Sequence, residues 1–232
     1  MQGLGFAYGL EPWIERCYAG QEELAAQARL RHQEFFNTQP YMSTFVMGMV
    51  CALEEDVAAA APEERPARVE RLRTLKSAAA SALAGVGDSL FWVTLRPACA
   101  ALALAGALFF SLWSVRAGAA WTLVAYLGLY NGVTIPWRWT FLRLGYEWKE
   151  QIAARLKDWS GPRLMRRLRW VAMAAALAVF ALLLWSASDG ERLTGAVTVA
   201  VAWVLKTWRI SAYKLYAAAV MAGIVAAWVG WL

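Results

Sequence analysis

SAAASALAGVGDSLFWVTLRP, residues 77–97, decides how this chain is read. The stretch is apolar enough for a bilayer, yet it is interrupted by Gly85, Gly87 and Asp88 and ends in Arg96 and Pro97. Gly-Val-Gly-Asp frees backbone groups and adds a charge that lipid cannot solvate, so this backbone is expected to be buried in protein or to line a watery cavity. A re-entrant hairpin over 77–97 is the natural geometry, because discontinuous helices meeting near mid-membrane offer directed hydrogen-bonding groups to a solute. The competing reading is structural: Asp88 pairs with Arg96 and holds the turn.

On the N-terminal side lies a second broken apolar segment, YMSTFVMGMVCAL from Tyr41 to Leu53, which starts after Pro40 and stops at Glu54, Glu55 and Asp56. Its helical rise of about 20 Å falls short of the roughly 30 Å hydrocarbon core. Between the two segments, PARVERLRTLK places Val69, Leu72 and Leu75 at near-helical spacing with Arg65, Arg68, Arg71, Arg73 and Lys76 around them. That pattern fits a basic helix lying on the membrane surface, or equally a solvated helix of a cytoplasmic region. Residues 1–76 hold most of the acids and form a peripheral, helical front on the cytoplasmic side.

On the C-terminal side, 98–115, 119–137, 170–187 and 213–232 have the length and apolarity of spanning helices; 194–208 is weaker because Lys206 sits near its end. Trp113 and Trp121 flank one short turn, Trp137 and Trp139 close the second span, and Trp170 and Trp185 bracket the third. Tryptophan favours the headgroup level, where its ring is buried and its N–H stays wet. Residues 138–169 carry nine Lys or Arg against three acids, which makes that loop cytoplasmic. With five spans the N-terminus is then cytoplasmic and the C-terminus external. The expected fold is an all-α integral membrane protein of about five transmembrane helices. It is divided into a peripheral region 1–76 containing the short segment 41–53, a re-entrant hairpin 77–97 and a helical bundle 98–232.

Composition supports a bilayer as solvent: 60% of the 232 residues are hydrophobic and 17% are charged. The net charge of +6 is better explained by cytoplasmic loops and lipid headgroups than by nucleic acid, since no nucleic-acid-binding pattern accompanies it. Cys17, Cys51 and Cys99 are odd in number and widely spaced, so they read as small buried hydrophobes rather than a disulfide framework or a metal site. The start of the chain lacks a basic region before a short apolar core, so no cleaved signal peptide is expected. No nucleophile elbow, metal-ligand cluster or Walker loop is present, which argues against an independent enzyme and against a cofactor.

HQEFFNTQPYMSTFVMGMVCALEE, His32 to Glu55, and LAGVGDSLFWVTLRP, Leu83 to Pro97, resemble the IID component of the mannose/fructose/sorbose family of the bacterial sugar phosphotransferase system. GFAYGLEPWIERCY near the start and the order of the later spans extend the resemblance over nearly the whole chain. It implies a subunit of the bacterial cytoplasmic membrane that pairs with an inversely oriented IIC subunit, the heterodimers assembling as trimers. Sugar would cross at the IIC/IID core and be phosphorylated by a separate IIB subunit charged by IIA, with no chemistry on this chain. Two departures stand out. Ser81 and Ser89 occupy positions where the family often has Pro, and a longer segment usually precedes the GF motif.

Asn37, Gln39, Glu54, Glu55, Asp88 and Trp92 are the residues expected at or near the sugar path. Carboxylates and amides make paired hydrogen bonds to neighbouring hydroxyls, and a Trp face packs on the apolar face of a pyranose. Helix-end roles compete: Asn37 as a cap, Gln39 and Pro40 as a turn, Glu54 and Glu55 as the aqueous end of their segment. His32, the only histidine, invites a phosphoryl-acceptor role. It has no partner base nearby in sequence, and a structural or subunit-contact role is the better reading. The leading function is a transport subunit; the runner-up is a IID-like partner that stabilises IIC or relays sugar status without efficient transport.

Overall fold

A computed structural model describes residues 2–152, 154–155, 161–186 and 221. Among these the chain is helical, with no strand: α1 (Gly3–Cys17), α2 (Glu22–Gln33), α3 (Ser43–Ala58), α4 (Arg65–Gly87), α5 (Arg96–Ser111), α6 (Val115–Trp148) and α7 (Gly161–Ser186). Two compact units divide the chain, residues 1–177 and 178–232. The account below concerns the first.

The expected hairpin over 77–97 is not formed. α4 passes through a π-helical segment, Asp88–Leu95, directly into α5, so that Arg65–Ser111 is one continuous helix of 47 residues. Asp88 itself sits at φ −60° and ψ −44°, ordinary right-handed helix. Pro97 supplies the reason for the wide turn: it has no N–H to give the carbonyl four residues back, and its ring would strike that carbonyl. The ladder loosens ahead of it, with Arg96 N–H bonding to the Phe91 carbonyl five residues back, and Thr94 Oγ1 donating to the Ser89 carbonyl at 2.8 Å. Gly87 serves close packing instead of reversal, while Gly85 faces open space. A Cβ on Gly87 would lie 2.7 Å from Gln39 Cβ and 2.8 Å from Met42 Cγ. The boundaries expected at 76 and 97 both fall inside this unbroken helix.

The short apolar segment is also explained differently. α3 continues through Glu54, Glu55 and Asp56 to Ala58, and almost its whole circumference is buried, from Phe45 and Val46 to Leu53 and Glu54. A helix apolar all round needs an enclosing partner on every side; here α1, α4 and α6 provide it. The segment is apolar because it is the centre of a helical bundle, enclosed by protein. α1 adds Phe6, Leu10 and Ile14, spaced by four, to the same core.

α3 and α6 approach at backbone distance through two glycines. A Cβ on Gly48 would stand 1.9 Å from the Leu142 carbonyl oxygen, and one on Gly145 would stand 2.0 Å from that of Phe45. α5 and α6 form a second tight pair joined by residues 112–114, where Gly106 receives the Trp121 indole and Gly118 faces the Ala107 carbonyl. Aromatic rings gather at the turn end, Phe109, Phe110, Trp113 and Trp121, and again at the other end, where Phe91 meets Trp137 at 5.8 Å.

Of the five expected spans, 98–115, 119–137 and 170–187 fall largely within α5, α6 and α7, while 194–208 and, apart from residue 221, 213–232 lie outside the described residues. One helix, Arg65–Ser111, is long and apolar enough to cross a membrane among the described residues, so the count of five is not established. Nor does α4 carry a free basic face. Arg71 pairs with Glu150, Arg73 with Glu34 at 2.8 Å and Arg68 with Glu64 at 2.8 Å, while Arg65 donates to the Ala60 carbonyl at 3.1 Å.

Candidate functional site

The linker between α2 and α3 positions two of the expected residues. From Phe36 the chain runs extended, so neighbouring side chains point opposite ways: Phe36 and Thr38 are buried and Asn37 is exposed. Phe36 packs on Phe6 with ring centroids 4.1 Å apart, and Thr38 Oγ1 donates to the Ala80 carbonyl at 2.8 Å. The Gln2 side chain grips the same segment, its Nε2 donating to the Thr38 carbonyl at 2.7 Å and its Oε1 accepting from Thr38 N–H at 3.2 Å. Asn37 is thereby held at the edge of a cleft of about 890 Å³, shared with Glu34, Arg73, Lys76, Ser77 and Ser81.

Gln39 is 2% exposed and lies against Gly87. Its Oε1 accepts from the Tyr41 and Met42 N–H groups at 2.7 and 3.1 Å, which fixes the orientation of the amide: reversed, the NH₂ would face two donors. Nε2 is left without a hydrogen-bond partner, the one buried side-chain nitrogen or oxygen so placed among the described residues. Such a group costs about 1–3 kcal/mol unless something outside the chain accepts from it. On the outer surface of the helix behind it, Ser81, Gly85, Asp88, Ser89 and Trp92 are all exposed, midway between the charged first half of the helix and its apolar second half. Trp92 is 45% exposed and carries the Arg96 guanidinium over its ring at 5.0 Å, so Arg96 faces the indole.

Glu54 and Glu55 are not part of this group. Glu54, expected on the sugar path, is 0% exposed and both its oxygens are engaged inside the fold. Oε1 accepts from Arg31 Nε at 2.7 Å and from His32 Nε2 at 2.7 Å; Oε2 accepts from Tyr18 Oη at 2.6 Å and from Arg31 Nη2. His32 Nδ1 in turn accepts from Lys76 Nζ at 3.3 Å, whose ammonium also stands 5.0 Å over the Phe6 ring. Burial opposes ionisation of Glu54, but the hydrogen bonds from His32 and Arg31 and the guanidinium charge outweigh it and hold the carboxyl at about 2. Burial pushes His32 below the ordinary imidazole value despite Glu54, in accord with a neutral ring that donates from Nε2 and accepts at Nδ1. His32 is thus an internal link between α2, α3 and α4. Glu55 accepts from Tyr146 Oη at 2.6 Å, and Asp56 pairs with Lys149 at 2.9 Å; both tie the end of α3 to the end of α6.

Sequence reasoning missed Tyr18, Arg31 and Lys76. A carboxylate directly abutting an apolar run was the available signal, since a buried charge requires a partner, but the partner's identity is nonlocal.

Close-packed glycine crossings and a continuous 47-residue helix long and apolar enough to cross a membrane are compatible with a helical membrane component. The family model for the PTS system mannose/fructose/sorbose family IID component matches residues 1–186, and the chain belongs to that family. It is 40% identical over 145 residues to the mannose-specific EIID component of Escherichia coli (strain K12), covering 58% of this chain and 50% of that protein. It is 33% identical over 166 residues to the sorbose-specific EIID component of Lacticaseibacillus casei, covering 72% and 53%. The fructose permease IID component of Bacillus subtilis (strain 168) is 29% identical over 166 residues, covering 72% and 54%. The chain therefore spans about half the length of these relatives. A chain in the cryo-EM structure of the mannose transporter ManYZ in complex with microcin E492 (MceA) matches with a TM-score of 0.52 at 26% identity, covering 99% of this chain and 89% of that one.

Proposed function

We propose that this chain is the non-catalytic IID half of a sugar permease in the bacterial cytoplasmic membrane. It lines the translocation path together with a IIC subunit, in a trimer of heterodimers served by IIB and IIA phosphocarriers. The exposed face of Ser81, Asp88 and Trp92, with Gln39 buried against Gly87 behind it, carries the reading. A sugar hydroxyl can donate to the exposed Asp88 carboxylate, and the apolar face of the ring can pack on Trp92. Asn37, Asp88 and Trp92 are the sugar-facing residues, with Gln39 buried behind them; Glu54 and Glu55 brace the helices that hold them. The excess of Lys and Arg over 138–169 supports a cytoplasmic N-terminus, and five spans would put the C-terminus outside.

The test is sugar uptake in a strain lacking only this gene. The wild-type chain should restore uptake, and Asp88→Ala should abolish it while the protein still inserts at normal abundance. Uptake unchanged by Asp88→Ala would remove that residue from the path. A wild-type chain that assembles with IIC yet restores no uptake would point to the regulatory role instead.

A further inference from the structure

We propose that the face of α7 formed by Arg163, Arg166, Arg167 and Trp170 binds the headgroup of an anionic phospholipid. Spacings of three, four and seven residues put these four side chains on one side of the helix, and all four are exposed. Met165 and Leu168 pack against the core from the other side, so the basic face is held outward. Arg163, Arg166 and Arg167 have no carboxylate partner among the described residues. The contrast with α4 is direct, since Arg68, Arg71 and Arg73 there are each neutralised by a carboxylate of the same chain. Three adjacent guanidinium groups, uncompensated among the described residues, offer a site for an anion.

The rest of the same face says which anion. Trp170 is 63% exposed, and one and two turns further on Met173 and Leu177 are exposed as well. Basic, then aromatic, then apolar along one helix face matches the order phosphate, interface and acyl chain met on entering a bilayer. A cytosolic acidic protein would account for the arginines but not for bare Trp170, Met173 and Leu177 beside them. Guanidinium groups also suit a phosphodiester, which accepts two parallel N–H bonds from one fork.

The full chain, solubilised in neutral detergent and titrated with phosphatidylglycerol or phosphatidylcholine, gives the test by native mass spectrometry. Saturable binding of phosphatidylglycerol is expected, with phosphatidylcholine at least tenfold weaker. The triple variant Arg163→Gln, Arg166→Gln, Arg167→Gln should lose at least tenfold in phosphatidylglycerol affinity at an unchanged melting temperature. Arg65→Gln, on the internally engaged helix, should bind as the parent does, and Arg166→Gln alone should show a partial loss if the triple variant is unstable. Equal affinity for the two lipids, or undiminished phosphatidylglycerol binding by both the triple and the single variant, overturns the proposal. So does loss of an acidic cytosolic partner with lipid binding intact, which would assign the face to protein.

Discussion

Glu54→Ala is expected to cost the N-terminal bundle about 3–5 kcal/mol, the usual penalty for deleting one member of a buried ion pair. A domain holds only about 5–15 kcal/mol in total. The loss is large because one carboxylate serves three partners on two other helices. Arg31, 6% exposed, would keep its charge with no counterion, and Tyr18 and His32 would each lose their acceptor. Glu54→Gln keeps the shape and one acceptor oxygen and should lie between Ala and wild type. The double variant Arg31→Met, Glu54→Leu should recover much of the loss, since it removes both charges together. Protease resistance and thermal melting of the detergent-solubilised chain measure all three. A melting temperature indifferent to Glu54→Ala would mean that the cluster contributes no net stability.

The same cluster sets the acid sensitivity of the fold. Glu54 is depressed in the folded chain to about 2 from its ordinary 4.5, so its contribution is present above about 4.5 and is lost as pH falls toward 2. His32 is depressed below its ordinary 6.5, so the unfolded chain takes up a proton first and stability also declines as pH drops through that value. Both groups act in one direction: stability decreases on acidification, beginning near neutrality. Glu54→Gln should flatten the part of the profile below 4.5 relative to wild type, as read from melting temperature against pH.

Gly145→Leu is the second large effect expected, with Gly48→Leu as its mirror across the helix crossing. The obstructing atoms are backbone oxygens, at 2.0 Å from a Cβ at 145 and 1.9 Å from one at 48, so no rotamer change can make room. α3 and α6 would have to separate along their whole contact, which carries Phe45 against Phe141 and Trp148. Overpacking generally costs about 1–3 kcal/mol and more where backbone must move, and here the site is the central crossing of the core. Gly128→Ala and Gly132→Ala are the controls. Nothing lies within 4 Å of a Cβ at either position, so in the isolated chain they should be neutral or slightly stabilising. Folding yield and melting temperature should separate the two pairs.

The expected site was legible in type more than in arrangement. Asn37 and Gln39 could be singled out as amides beside a proline, but that Gln39 keeps an unpaired NH₂ follows from two backbone donors occupying its oxygen, a matter of distances. Glu54 had the right chemistry for sugar binding, and only burial shows it committed elsewhere. The same local letters serve either purpose, because a carboxylate accepts from a guanidinium as readily as from a hydroxyl.

From sequence alone came the helical character, the family resemblance carried by the motifs at 32–55 and 83–97, and the tryptophan-edged apolar runs that became α5, α6 and α7. These depend on composition and spacing along the chain, which are local quantities. What tertiary structure decided was whether Gly85, Gly87 and Asp88 turn the chain back or let it run on, and which side chains answer Glu54. Glycine permits a reversal and a close packing contact equally. The choice falls to Gln39 and Met42 pressing on Gly87, and to Arg31 and His32 meeting a carboxylate more than twenty residues away.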